Sequence, residues 1–122
     1  MDEAIPYFEH YGPGIAPWYG RLGVMQLLQG HTDRALVWLE KANGENPRLA
    51  FVHAYLAAGY AIQGDIERAR AELTEAQHLS KGYSRLASVE KSTWYDEPKI
   101  RALAEATYFP NLRRAGLPAE RR

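Results

Sequence analysis

Compared with itself at an offset of 34 residues, the chain aligns two adjacent segments, and this repetition constrains its fold more than any other feature. Leu22 pairs with Leu56, Gln29-Gly30 with Gln63-Gly64, Arg34-Ala35 with Arg68-Ala69, Leu39 with Leu73 and Ala42 with Ala76. A fixed period of this length describes a supersecondary unit stacked on its own copy, because one unit alone leaves an apolar face uncovered.

Each unit reads as two helices. The first spans about Ala16 to Gln29 in one copy and Ala50 to Gln63 in the next; the second spans about Asp33 to Asn43 and Glu67 to Leu79. Gly30 and Gly64 stand where a left-handed residue closes the first helix, and Asp65 is placed to cap the helix that follows. Apolar residues recur at helical spacing in the second helices, as Ala35, Leu36, Leu39 and Ala42 and again as Ala69, Leu73 and Ala76. Gly23, Ala57, Ala35 and Ala69 are small enough for helix axes to approach closely, while Leu22, Leu39, Leu56 and Leu73 fill the remaining space.

These positions resemble the tetratricopeptide repeat family, whose pattern runs aromatic-x2-Leu-Gly-x2-Tyr, then Ala-x3-Phe, then Pro. The first repeat supplies Tyr19, Leu22, Gly23, Ala35, Leu39, Ala42 and Pro47; the second supplies Leu56, Ala57, Tyr60, Ala69, Leu73 and Ala76. The pattern is broken at Gln26, His53 and Lys81, where Tyr, an aromatic residue and Pro are expected. The resemblance implies an all-α fold of helical hairpins stacked as a short right-handed α-solenoid. The expected organisation is a partial repeat helix over residues 1–12, repeats over 16–47 and 48–81, degenerate capping helices over 82–118 and a tail over 119–122.

The two ends depart from the period. Asp2 to Tyr11 carries Ala4-x3-Phe8, the pattern of a second helix without its first, which sets the expectation of a longer array. Gly12-Pro13-Gly14 breaks that segment, and Pro17 suits a first helical turn. Beyond Leu79, Ser84 to Trp94 reads as a poorly matching helix, and a stronger one starts near Asp96-Glu97-Pro98. Its stripe of Ile100, Leu103, Ala104, Tyr108 and Leu112 should be bent or split near Tyr108 by Pro110, and Gly116-Leu117-Pro118 should end it. The segments Pro98 to Leu103, Thr107 to Phe109 and Leu112 to Pro118 look like the C-terminal tail of repeat regions in bacterial class III adenylate/guanylate cyclases and related signalling proteins. No part of the cyclase catalytic domain is present, so nothing of its chemistry carries over.

Composition narrows the function. Fifteen Lys and Arg balance fifteen Asp and Glu, which argues against a dedicated nucleic-acid or anionic-membrane surface. The chain has no cysteine, so thiolate metal sites, disulfides and cysteine nucleophiles are excluded. No apolar run approaches the roughly 20 residues of a membrane span, and the acidic start Met1-Asp2-Glu3 is unlike a targeting signal. The expectation is a cytoplasmic chain.

Candidate sites are few. His10, His31, His53 and His78 lack metal-ligand spacing, and no phosphate loop, nucleophile elbow or His-Glu-x-x-His run occurs. No catalytic, cofactor or metal residues are expected, and the chain is read as a non-enzyme. His53 is expected to be packed or hydrogen-bonded. Glu67, Glu72 and Glu75 are expected on a solvated face beside Arg68 and Arg70, and Arg113, Arg114, Arg121 and Arg122 to favour a helix C-terminus.

The resemblance implies a concave face lined by Val24, Leu27, Phe51, Ala54, Ala58 and Ala61, with Tyr55 and Ile62 nearby, which would receive an apolar helix or extended peptide unless the capping pair or another repeat covers it. A carboxylate-clamp subclass is disfavoured because Gly20, Val24, Ala54 and Ala58 occupy the clamp positions. The expected function is a protein-interaction scaffold, with a regulatory or self-association module of a cyclase-like or transcription-regulator-like protein as the alternative. The expected partner is a protein or peptide, or a second copy of the chain, not nucleic acid or membrane.

Overall fold

The computed structural model describes residues 15–91 and 93–117, and over these residues the chain is all-helical without a strand. Four long helices come first: α1 (Ile15–Leu28), α2 (Thr32–Glu45), α3 (Ala50–Ile62) and α4 (Ile66–Leu79). A 3-10 turn (Lys81–Tyr83), α5 (Leu86–Glu90), a second 3-10 turn (Thr93–Asp96), α6 (Pro98–Thr107) and α7 (Phe109–Arg114) complete the order. The long helices begin and end within two residues of their expected bounds. The expected partial helix of Asp2 to Tyr11, the Gly12-Pro13-Gly14 break, and Pro118, Arg121 and Arg122 lie outside the described residues. No described helix is long and apolar enough to cross a membrane.

Glycine sets the turns inside both hairpins. Gly30 has φ +88° and Gly64 φ +85°, a left-handed conformation that a Cβ disfavours. At Gly30 its own amide donates to Leu27 O and the His31 amide to Gln26 O; at Gly64 the pairs are Gly64 to Ala61 O and Asp65 to Tyr60 O. Both are Schellman closures, which satisfy carbonyls that the helix end would otherwise orphan. Asp65 then caps α4 by accepting from the Arg68 amide at 3.3 Å. His31 takes the corresponding place before α2 without capping it; its ring bonds back to Gln26 Oε1 at 2.9 Å.

The hairpins are held closely. α1 packs along α2, α3 along α4, and α2 against α3, with Leu27, Leu28, Leu39, Leu56 and Val52 fully enclosed between them. A Cβ on Gly23 would stand 2.5 Å from Leu39 Cγ, and one on Gly59 2.7 Å from Leu36 Cδ2, so both crossings use the missing side chain as a notch. Polar contacts tie the two hairpins together. The Tyr60 hydroxyl donates to Glu40 at 2.6 Å and accepts from Arg68 at 2.9 Å, joining α2, α3 and α4. His53 is buried, with Nδ1 hydrogen-bonded to Glu72 Oε1 and Nε2 to the Pro47 carbonyl, each at 2.7 Å. Glu72 therefore departs from the solvated face expected of it: His53 draws its carboxylate inward, whereas Glu67 and Glu75 are exposed.

After α4 the expected helix over Ser84 to Trp94 is replaced by short turns around the five-residue α5. Ser80 turns its hydroxyl back to accept from the Gly82 amide at 3.2 Å, a local bond that competes with helix propagation. The last helix is split where Pro110 removes an amide: α6 ends at Thr107, α7 starts at Phe109, and Asn111 Nδ2 donates to the Thr107 carbonyl at 2.6 Å. Gly116, at φ +117°, closes α7 with the same pair of amide bonds seen in the hairpins. α7 packs across α3, burying Tyr108, Phe109 and Leu112.

Candidate functional site

The described surface carries a half-open cavity of about 810 Å³ bounded by α1, α3 and the segment from Ser80 to Ile100. Pro17, Trp18, Arg21, Leu22, Val24 and Met25 come from α1, and Phe51 and Tyr55 from α3. Trp18, Arg21, Leu22 and Met25 are spaced i, i+3, i+4 and i+7, one face of a helix. The opposite wall is Ser80, Gly82, Tyr83, Ser88, Val89, Tyr95 and Ile100. The volume falls in the range typical of ligand pockets, and the wall combines apolar surface with a few hydroxyls, as such pockets do.

A cluster of aromatic rings ties the lining residues Tyr55 and Tyr95 to the core. Tyr55 stacks on Tyr108 with centroids 3.8 Å apart and planes 2° from parallel, and its hydroxyl bonds that of Tyr95 at 2.5 Å. Tyr95 in turn meets Phe109 edge-on at 5.1 Å. Burial raises Tyr83 to about 12 and also lifts Tyr55, Tyr95 and Tyr108 well above the ordinary phenol range, because an ionised phenolate would lose its hydration there. At neutral pH these groups are therefore neutral phenols that exchange hydrogen bonds.

Arg101 holds the outer wall in place. Its Nε donates to the Tyr95 carbonyl at 3.0 Å and a terminal nitrogen donates to the Glu90 carbonyl, bridging α6 to the second 3-10 turn and the end of α5. The guanidinium fork suits two acceptors fixed in space. Among the described residues Arg21 is the one ionic side chain on the cavity lining; it is exposed and makes no salt bridge with any of them.

The residues expected on the concave face divide into two sets. Val24, Phe51 and Tyr55 reach the cavity. Leu27, Ala54, Ala58 and Ala61 are fully enclosed, so they pack the interior and offer no surface to a partner. Leu27 lies toward the α3 notch, 3.6 Å from where a Gly59 Cβ would stand, and α7 packs across α3. Ile62 is half-buried against the core. Sequence reasoning missed Trp18, Arg21 and Met25, which the helical spacing along α1 could have revealed. It also missed Tyr83, Ser88, Val89 and Tyr95, which carry no repeat register.

Comparison with known proteins finds no matching family model, no matching curated protein and no matching solved structure.

Proposed function

We propose that this chain is a tetratricopeptide-like interaction module that holds a segment of another protein in the cavity between α1, α3 and the Ser80–Ile100 wall. The half-open aromatic cavity carries this reading. Its lining of Trp18, Phe51, Tyr83 and Met25 remains partly exposed, whereas Val52 through Ala61 of α3 are buried. Large aromatic side chains around a concavity are what anchors of a partner chain insert between. The wall supplies contact area and hydroxyl groups, so the reading is binding rather than catalysis. The hairpins act as a scaffold whose rigidity fixes the cavity, and the C-terminal helices cap their stack.

A photo-crosslinking amino acid placed at Met25, on the cavity wall, tests this against one placed at Val37, which is exposed on α2 outside the cavity lining. A partner crosslinked from position 25 but not from 37 supports the module. Equal labelling from both positions, or none from either, refutes it. A product of twice the chain mass identifies the partner as a second copy.

A further inference from the structure

Among the described residues the cavity wall holds no carboxylate, and Arg21 is the sole ionic side chain they contribute to it. That guanidinium is exposed and unpaired by any described acid. It rises from the same face of α1 as Trp18 and Met25, one helical turn from each, beside an apolar wall that water hydrates poorly. Opposite it the wall is built of neutral groups, Tyr83 and Val89 with the serines at 80 and 88. An occupant that filled the cavity with apolar groups alone would leave the arginine without a counter-charge, and a basic one would meet it with repulsion.

We propose that the occupant is an acidic peptide segment in which an aromatic or large aliphatic anchor is followed closely by Asp or Glu. The anchor lies against Trp18, Phe51 and Tyr83, and the carboxylate pairs with Arg21 at the mouth. Ser80, Ser88 and Tyr83 lie within the same lining, and their hydroxyls would bond backbone groups of the segment, which an apolar wall alone would leave unsatisfied. This inference rests on the interaction-module reading and adds the charge and order of the bound residues.

The test is selection of a random heptapeptide display library on the full chain, on Arg21→Gln and on Met25→Glu, with circular dichroism confirming that all three are equally helical. The expected result is enrichment of an apolar anchor with a neighbouring acid on the unmodified chain, and of the anchor without the acid on Arg21→Gln. A selected peptide should bind Arg21→Gln about three- to tenfold more weakly, with reduced salt dependence, and Arg21→Lys should recover part of the loss. Replacing Glu by Gln in that peptide should abolish the difference between the two proteins. Anchors enriched without acids on the unmodified chain overturn the charge inference and leave the interaction module standing. No enrichment over Met25→Glu overturns both, and assigns the cavity to a small amphiphile, which 8-anilinonaphthalene-1-sulfonate titration of the same proteins would register.

Discussion

Replacing Gly23 by Ala isolates the close approach of α1 to α2. The added Cβ would lie 2.5 Å from Leu39 Cγ, 2.8 Å from Leu39 Cδ2 and 3.1 Å from the Ala35 carbonyl oxygen. Ordinary carbon contacts lie at about 3.5–4.0 Å, so the helices must separate by about 1 Å or Leu39 must leave its rotamer. Leu39 is fully enclosed, and Ala35 contributes backbone, so neither yields easily. Overpacking of this kind costs about 1–3 kcal/mol, against a gain of up to about 1 kcal/mol from the better helix propensity of alanine. With the full propensity gain the net expectation is a loss of up to about 2 kcal/mol. Gly44→Ala supplies the opposite sign, because within α2 nothing lies within 4 Å of the new methyl; it should gain about 0.5–1 kcal/mol. Gly59→Ala should fall between Gly23→Ala and the unmodified chain, since the first contact is the movable Cδ2 of Leu36, at 2.7 Å. Urea unfolding followed at 222 nm ranks the four proteins. If Gly23→Ala gains stability as Gly44→Ala does, the notch argument is refuted.

Other consequences can be checked on the same samples. His53→Ala removes a buried ring that satisfies both Glu72 and the Pro47 carbonyl, and should cost about 2–3 kcal/mol in urea; an unchanged midpoint would contradict a stabilising role for these two bonds. At alkaline pH the raised phenols act through linkage: below about pH 10 their contribution is complete, and it is lost as pH rises through 10 toward 12, because the unfolded chain ionises first. Melting temperature should therefore drop across that window, with tyrosinate absorbance at 295 nm rising alongside unfolding; a pH-independent melting temperature there contradicts the buried cluster. Arg101→Lys cannot span both the Tyr95 and Glu90 carbonyls as a planar fork, so amide exchange over residues 90–96 should quicken severalfold while α1 and α2 stay protected.

What could be read from the sequence follows from where the determinants are local. The hairpin helices were legible because Gly30 and Gly64 mark their turns at the same offset as the apolar positions, and each mark acts within a few residues. Pro110 was legible for the same reason: an absent amide splits a helix whatever surrounds it. The burial of Leu27, Ala54, Ala58 and Ala61 depends instead on how α1 and α7 meet α3. That packing is decided by contacts between residues far apart in the chain, such as the Tyr55–Tyr108 stack, and no local period encodes it. Glu72 was misread similarly. On α4 alone it belongs to a charged face; its partner His53 is nineteen residues earlier, on another helix.

The C-terminal segment does more than cover the hairpins. Tyr108 takes one face of Tyr55 and Tyr95 takes its hydroxyl, so the ring that lines the cavity from α3 is fixed from the far end of the chain. Arg101 then holds the Tyr95 turn against α5, and Tyr83 and Val89 complete the opposite wall. Without this wall, Phe51 and Tyr55 would belong to an open slope that could take long helices in several registers. With it, the opening is bounded on two sides, and length becomes a criterion of fit alongside apolarity. On the proposed interaction-module reading, the bounded shape would favour a short extended segment over a long amphipathic helix. The irregular turns between Ser80 and Asp96, which have no counterpart in the repeats, are the elements that set this limit.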